Sequence, residues 1–588
     1  MTHDDLTEYD LDRRQFMAIA GALTGSTALA GCSTQSGDGS DAGGGGTGTG
    51  SDSGGGSEST PSGSSDVRLN VAISAEPWNF DPALWSDTAT STIGGLIYDE
   101  VVGLNSNEEL VPELVEEVPD PMDGGKAYEY TLREGVKFHN GDPVTAEDVK
   151  YTVDWILNPD NNSPIASRIP FVESTEVVDD RTFRFNMEKP FATLNWWITR
   201  GIAGVVPKDS RDGTSEGKGP SGVATNLTKD PSGMGTGPFK FVEWKSGSHV
   251  LLERNENYWK DGQPKVKEIK FDFIGENSTR LANLRSGNTH LTNKVPPKDF
   301  KGLKGQPNID ATSVPGNTTE VLYLNLMEAE GNPMSNVNNR RAVMFGIDAE
   351  EILDEVFHGQ GVVQKGPWYP DSEWTSPKLK EMEFYDPEKA RKELEKAGNP
   401  DGFELDIIAT KGSWFKDEAI IIQEQLSNIG IDVNVTAVDK STLFDEVYGT
   451  TDWHAAMEDW GQSIPVATYW LDAGYADNNH NHNNWHHAAD DLQDPYEASG
   501  PPAPEDAEGD FSNGHDWFVQ TLRKAQSETD EQKQKELVYK LEEFVTLNAI
   551  QIDIAYVNKL QAWQQKVEGY QVGTFHDEFR TTLVGDGN

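Results

Sequence analysis

The sequence predicts an α/β fold, and three observations predict it. Segments with apolar residues at helical spacing alternate along the chain with short strand-like runs. One stretch, residues 403–438, reads strand, helix, strand at the spacing of a βαβ unit. No internal repeat breaks the alternation. In chain order, "TAEDVKYTVDWIL" opens on Thr145 and Asp148, close to a capping box, and places Ala146, Val149, Val153 and Ile156 on one helical face. In "YDPEKARKELEKAG", Asp386 is the cap, Pro387 takes the first helical position, Gly398 marks the end, and Ala390, Leu394 and Ala397 share a face. "FELDIIAT" reads as a strand and "KDEAIIIQEQLSNIG" as a helix buried through Ile422, Leu426 and Ile429. "IDVNVTAV" reads as a strand alternating Ile431, Val433, Val435 and Ala437. A late helix, "TDEQKQKELVYKLEEFVTLNA", turns Leu537, Leu541, Phe544 and Val545 inward.

Length and charge bound what such a fold does. The chain has 588 residues, with 49 Lys and Arg against 98 Asp and Glu, a formal net charge of −49. Nucleic-acid binding needs clustered basic residues to neutralise phosphates, and this balance excludes it. The length calls for more than one domain, and the 35% of hydrophobic residues still supplies a sizeable core. The acids are scattered from Glu76 to Asp586 rather than gathered in a tail, so they form a coat. At molar salt the Debye length is about 3 Å and the coat's self-repulsion is screened, which reads as adaptation to a briny medium.

The single cysteine, Cys32, excludes disulfides and thiolate metal sites within one chain. Its setting explains it. Arg13 and Arg14 in "DRRQFM" precede a weakly apolar run over residues 17–30, and "LAGC" ends at Cys32. This resembles a twin-arginine export signal with a lipobox, whose cleavage frees Cys32 for a lipid. The run is shorter than the roughly 20 residues a membrane-spanning helix needs. Removal of residues 1–31 leaves 93 acids against 47 bases, so the coat persists. In residues 33–66, 22 of 34 positions are Gly or Ser, a flexible tether with an expected span of about 30 to 35 Å. The expected location is the outer face of the cell membrane, with the body standing off on the tether.

Six segments of that body carry a family resemblance. They are "YTLREGVKFHNGDPVTAEDVKYTVDWIL" from Tyr130, "GTGPFKFVEWKSGSHVLLERNENYW" from Gly235, "VLYLNL" from Val321, "NRRAVMFGIDAEEILDEVFHGQG" from Asn339, "YDPEKARKELEKAG" from Tyr385 and "LVYKLEEFVTLNAIQIDIAYVNKLQAWQQKVEGY" from Leu537. In this order they resemble the family 5 extracellular solute-binding proteins, the peptide, nickel and oligosaccharide receptors of ABC importers, in a form that looks like a haloarchaeal lipoprotein. The resemblance implies a two-lobed clamp of the periplasmic-binding-protein type that closes on a solute by hinge motion and then docks on permease subunits. It implies a first lobe built from residues 67–92, 234–316 and 550–588, a domain inserted at 93–233, and a second lobe at 317–549 with a surface insertion at about 476–513. It also implies a monomer that is no enzyme and needs no cofactor. The expected ligand is a peptide-like solute, with an oligosaccharide or a nickel or other metal chelate as the alternative.

The same resemblance points to a site between the lobes. "VLYLN" is similar to the strand that crosses between them, which puts Tyr323 and Asn325 near the ligand. "AMEDWGQSIPVATYW" is similar to the segment whose Trp, here Trp460, lies at the cleft. In the family's peptide receptors an Asp three positions after that Trp holds the peptide's α-ammonium, and an Asp-Pro follows. Here those positions read Ser463, Val466 and Ala467. A buried ammonium without its carboxylate costs several kcal/mol, so Glu458 or Asp459 takes over that part, or the ligand has no free amine; alternatively both acids belong to the coat. Tryptophan faces stack on sugar rings and apolar side chains, and among 16 Trp the candidates for cleft walls are Trp78, Trp414, Trp460 and Trp470.

Other motifs are weaker. "ADNNHNHNNWHHAADD" holds His480, His482, His486 and His487, all capable metal ligands, in an Asn-rich stretch that reads as a surface loop. A G-x-S-x-G match around Ser215 lacks the strand before it and the helix after it that a nucleophile elbow requires, so a secreted hydrolase is the remote alternative. "GMGTGPF" lacks the Lys-Ser/Thr of a phosphate loop. N-x-S/T matches at Asn161, Asn226, Asn277, Asn317 and Asn434 are compatible with surface glycosylation.

Overall fold

The computed structural model describes residues 65–585 apart from 106, 212–224, 328–330, 451, 462–464, 477–502, 505–506, 508–512 and 575–576. Arg13, Arg14, Cys32, Ser215, Ser463 and the four histidines of the 480–487 stretch therefore lie outside the described residues, as does all but the end of the Gly/Ser run. The first strand, β1 (Ser65–Ile73), takes in the last two residues assigned to the tether, because Ser65 already pairs with Val266.

Small strands come next. β2 (Val102–Leu104) pairs with β3 (Leu110–Pro112), and β4 (Ala127–Thr131), β5 (Val172–Val177) and β6 (Thr182–Met187) form a separate antiparallel sheet in the order β4-β6-β5. The helix Ala146–Leu157 belongs to this region. The backbone N–H and the hydroxyl of Thr145 both donate to the Asp148 carboxylate, at 2.8 and 2.7 Å, and the expected Ala146, Val149, Val153 and Ile156 are its buried apolar face. They share a core with Tyr128, Tyr130, Phe183 and Phe185, where Tyr130 stacks on Phe183 at 5.1 Å.

The main sheet takes β7 (Phe239–Lys245), β8 (His249–Arg254), β9 (Val266–Phe273), β10 (Leu291–Thr292), β11 (Ile309–Leu324), β12 (Gly361–Val363), β13 (Glu404–Thr410), β14 (Asp432–Val438), β15 (Ala455–Gly461) and β16 (Gln551–Gln564), together with β1. Its order is β14-β13-β15-β11-β16-β10-β1-β9-β8-β7, with β12 added to β16. The sheet is mixed: β13 runs parallel to both β14 and β15, β1 runs parallel to β9 and β10, and β11 is antiparallel to β15 and β16. The α/β class expected from the sequence is the one found.

Local rules account for the elements nearest the site. The helix Pro387–Ala397 starts where Asp386 accepts from the Lys389 N–H at 2.9 Å and stops at Gly398, whose φ of 82° lies in the left-handed region that glycine enters without strain. Ala390 and Leu394 are buried as expected and Ala397 is half-buried. β13, the helix Phe415–Ser427 and β14 form the βαβ unit, with Ile407 opposite Val435. Ile422, Leu426 and Ile429 join a large core with Leu322, Leu324, Met457, Leu541, Phe544 and Val545. In the helix Glu531–Leu547, Leu537 is only partly covered, and Val538 fills the inward position beside it. Among the described residues no helix is long and apolar enough to cross a membrane.

Candidate functional site

The strand order places a crevice. From β13 the chain passes through the helix Phe415–Ser427 to β14 on one side, then through the helix Lys440–Gly449 to β15 on the other side of β13. The helices cover opposite faces: Ala419, Ile422 and Leu426 pack with Leu322, Leu324 and Met457, whereas Leu443 and Val447 pack with Val321, Tyr323 and Ala456. β13 and β15 are neighbouring parallel strands, and ligands of open α/β sheets bind outside the carboxyl ends of such strands. Thr410 and Gly461 are those ends, and Trp414 and Trp460 sit next to them.

On the face under the Phe415–Ser427 helix, Glu320 of β11 stands directly opposite Asp459 of β15. Glu320 is fully buried and Asp459 is exposed. The Trp414 indole N–H donates to Glu320 Oε2 at 3.0 Å, leaving Oε1 with no hydrogen-bond partner. Glu418, one turn into the helix and also fully buried, has neither carboxyl oxygen partnered. Burial first, and neighbouring carboxylates second, push Glu320 and Glu418 well above the usual carboxylate range; for Glu320 the nearest contributors are Glu418 and Asp459, and for Glu418, Asp459.

On the opposite face, register pairs Trp460 with Thr319, Glu458 with Val321, and Ala456 with Tyr323. Trp460 is half-buried, with its ring edge-on to Trp470 at 4.6 Å and tilted against Tyr323 at 6.5 Å. Glu458 is buried, and its carboxyl is pushed up to about 7 by desolvation, with Lys440 opposing and Asp459 adding to the rise.

The structure thus places Trp414 and Asp459 on one face of the sheet beside the carboxyl end of β15, and Glu458 and Trp460 on the other face, where the ring of Tyr323, which pairs with Ala456 near the start of β15, lies against Trp460. Trp470 is buried behind Trp460 as its support. Asn325 is fully buried, its amide donating to the Trp453 carbonyl at 2.8 Å and accepting from the Met327 N–H at 3.2 Å, so it braces the end of β11. Trp78 lies after β1, three strand positions from β11 in the sheet, with its ring about two-thirds exposed. Glu320 and Glu418 are the residues that sequence reasoning missed. Both had a periodic signal: Glu320 precedes Leu322 and Leu324 at strand period two, and Glu418 precedes Ile422 and Leu426 at helical spacing, so each carboxyl occupies an inward position. Among the described residues no group of three His, Cys, Asp or Glu side chains is arranged to hold a metal ion.

Solved structures share this mixed α/β, two-lobed fold. The Helicobacter pylori ABC transporter-associated periplasmic binding protein DppA, in complex with the peptide STSA, superposes with a TM-score of 0.71 at 23% identity over 88% of this chain and 98% of that one. Residues 109–482 match the bacterial extracellular solute-binding proteins, family 5 Middle, and the chain belongs to that family. Curated relatives include the glutathione-binding protein GsiB of Pectobacterium atrosepticum, 27% identical over 68% of this chain and 77% of that protein. The oligopeptide-binding protein AppA of Bacillus subtilis is 27% identical over 67% of this chain and 74% of its own length.

Proposed function

We propose that this chain is the receptor of an ABC importer and that it captures a short peptide between its lobes at the carboxyl ends of β13 and β15 for delivery to permease subunits. The observation that carries the reading is the family 5 match, together with the position of Trp414, Asp459 and Trp460 beside the carboxyl ends of β13 and β15. Relatives named for glutathione and oligopeptides support a peptide as solute. Aromatic faces suit a ligand of mixed side chains, and the carboxyls suit its positive end. In this reading the protein binds and releases without turnover. The lobe boundaries at 316–317 and 549–550, the twin-arginine signal, the lipid on Cys32 and a briny exterior belong to the same proposal: an anchored receptor that opens, closes and reaches a membrane partner needs the slack of a Gly/Ser tether.

Native mass spectrometry of the protein purified from its own cell envelope in high salt tests the ligand. A bound peptide is the expected result. A disaccharide or a nickel chelate in its place overturns the peptide reading.

A further inference from the structure

We propose that the lysine-bearing face of the helix Pro297–Lys304 is a docking face for the anionic lipid surface of the membrane that carries this chain. This goes beyond the peptide-receptor reading and rests only on its anchored body, not on the solute. One residue in six of the chain is acidic, 98 of 588, so a stretch of 33 residues holds five or six acids on average. Residues 277–309 hold one, Asp299, against six bases, Arg280, Arg285, Lys294, Lys298, Lys301 and Lys304; the next acids are Glu276 and Asp310 at either end. Arg280 is buried and donates to backbone carbonyls, but the other five are exposed, and among the described residues none of the five has an ion-pair partner. Lys298, Lys301 and Lys304 recur every three residues and share one side of the helix. Phe300 and Leu303 turn the other way, into a core with Leu281, Leu284, Ile309 and Leu560. The acid coat is interrupted here by a face of the opposite sign.

Strand pairing sets this face toward the point where the Gly/Ser-rich run ends. β10 is parallel to β1 and antiparallel to β16, and β16 is antiparallel to β11, so β1 and β11 start toward the same edge of the sheet. Ile309 pairs with Gln564, whose N–H donates to the His290 carbonyl, and the His290 N–H donates to the Asn70 carbonyl, each at 2.8 Å. The start of β11 is thus level with Asn70, about 17 Å along the strand from Ser65. The helix runs toward that edge, from Val295, whose N–H donates to the Leu560 carbonyl at 3.0 Å, to Lys304 just before β11. Lys267, exposed next to Val266, the partner of Ser65, adds a base at the start of β1. The chemistry favours lipid over an acidic protein. Lysine is a point charge on a flexible stem and suits a diffuse anionic surface, whereas arginine's planar fork serves specific ion pairs; four of the five exposed bases are lysines. At molar salt, with a Debye length of about 3 Å, such a contact is weak, but a tether raises the effective concentration enough for a weak contact to orient the body. Elsewhere the acid coat opposes an anionic surface, so the body settles with this face toward it.

The test supplies the anchor chemically, so its outcome does not depend on export or natural lipidation: the full chain is coupled through Cys32, its only cysteine, to a maleimide lipid. It is held in molar sodium chloride on vesicles of phosphatidylcholine alone, or of phosphatidylcholine and phosphatidylglycerol in equal parts, and lysine acetylation is followed by mass spectrometry. Lys294, Lys298, Lys301 and Lys304 are expected to react about threefold or more slowly on the anionic vesicles, while Lys392, exposed on the helix Pro387–Ala397, reacts at one rate on both. In the triple variant Lys298→Gln, Lys301→Gln, Lys304→Gln, whose changed side chains are all exposed, the protection of Lys294 is expected to be lost and the melting temperature to hold. Equal rates on the two vesicles, slowing of Lys392 to the same extent, or protection of Lys294 that survives in the variant overturns the docking face. Protection seen only on native envelope vesicles, and absent when those vesicles are treated with trypsin before coupling, assigns the face to an acidic protein and overturns the lipid. None of these outcomes depends on a bound solute, so the docking face and the peptide reading fail separately.

Discussion

Glu458 shows how a buried side chain contributes to the pH dependence of a fold. It sits on the face of β15 that packs against Val321, Tyr323, Leu443 and Val447, and burial raises its carboxyl from an ordinary 4.5 to about 7. Below about pH 4.5 both the folded and the unfolded chain hold that proton. Between there and pH 7 only the folded chain does, so stability declines as pH rises through that window. The loss amounts to about 3 kcal/mol by linkage. Glu458→Gln is expected to reduce the fall of the melting temperature with pH between 4.5 and 7, as measured by circular dichroism, while other buried acids such as Glu320 and Glu418 keep part of it; a slope equal to that of the parent protein would refute the assignment. The neighbouring residues divide by whether their cue was local. Trp460, Asp459 and Glu458 were legible because they lie together in one short segment. Glu320 and Glu418, 98 positions apart, each carried a periodic cue of burial, but nothing along the chain showed that Trp414, one turn before Glu418, bonds Glu320.

At the scale of elements, β11 and β16 matter most, because they form the long central ladder of the main sheet. Their register shifts between Val314 and Thr318: Val314 faces Lys559 and Thr318 faces Val557, so β11 carries extra residues there. Gly316 lies within this bulge, where a Cβ would collide with the Val557 carbonyl oxygen. Gly316→Ala is expected to cost about 1 to 3 kcal/mol, from forced backbone displacement, in urea unfolding. An unchanged midpoint would show that the bulge has room. The lobe boundary proposed at 316–317 falls on the same bulge. Helix caps and the βαβ unit were readable from sequence because capping and periodicity act within a few residues. The position of β15 between β13 and β11 was not, since strand order depends on contacts between distant segments.

For the whole molecule, the formal charge of −49 makes salt the variable to test. With acids spread over the chain, self-repulsion grows as the Debye length lengthens from about 3 Å at 1 M salt to about 10 Å at 0.1 M. The melting temperature is expected to fall steeply as sodium chloride is lowered through that range, and a scanning calorimetry series with no salt dependence would remove the case for salt adaptation. By itself the sequence determined the α/β class, the acid coat, the capped helices and the segment around Trp460, because composition, period and short-range hydrogen bonding are local properties. The family resemblance, read from six segments in order, supplied the clamp. Only the tertiary structure decided that β13 and β15 are parallel neighbours, and that Trp414 bonds Glu320 opposite Asp459, with Glu418 one turn along the helix from Trp414. Those residues come from three elements separated by long stretches of chain, and their convergence follows from strand pairing and helix packing rather than from any pattern along the sequence.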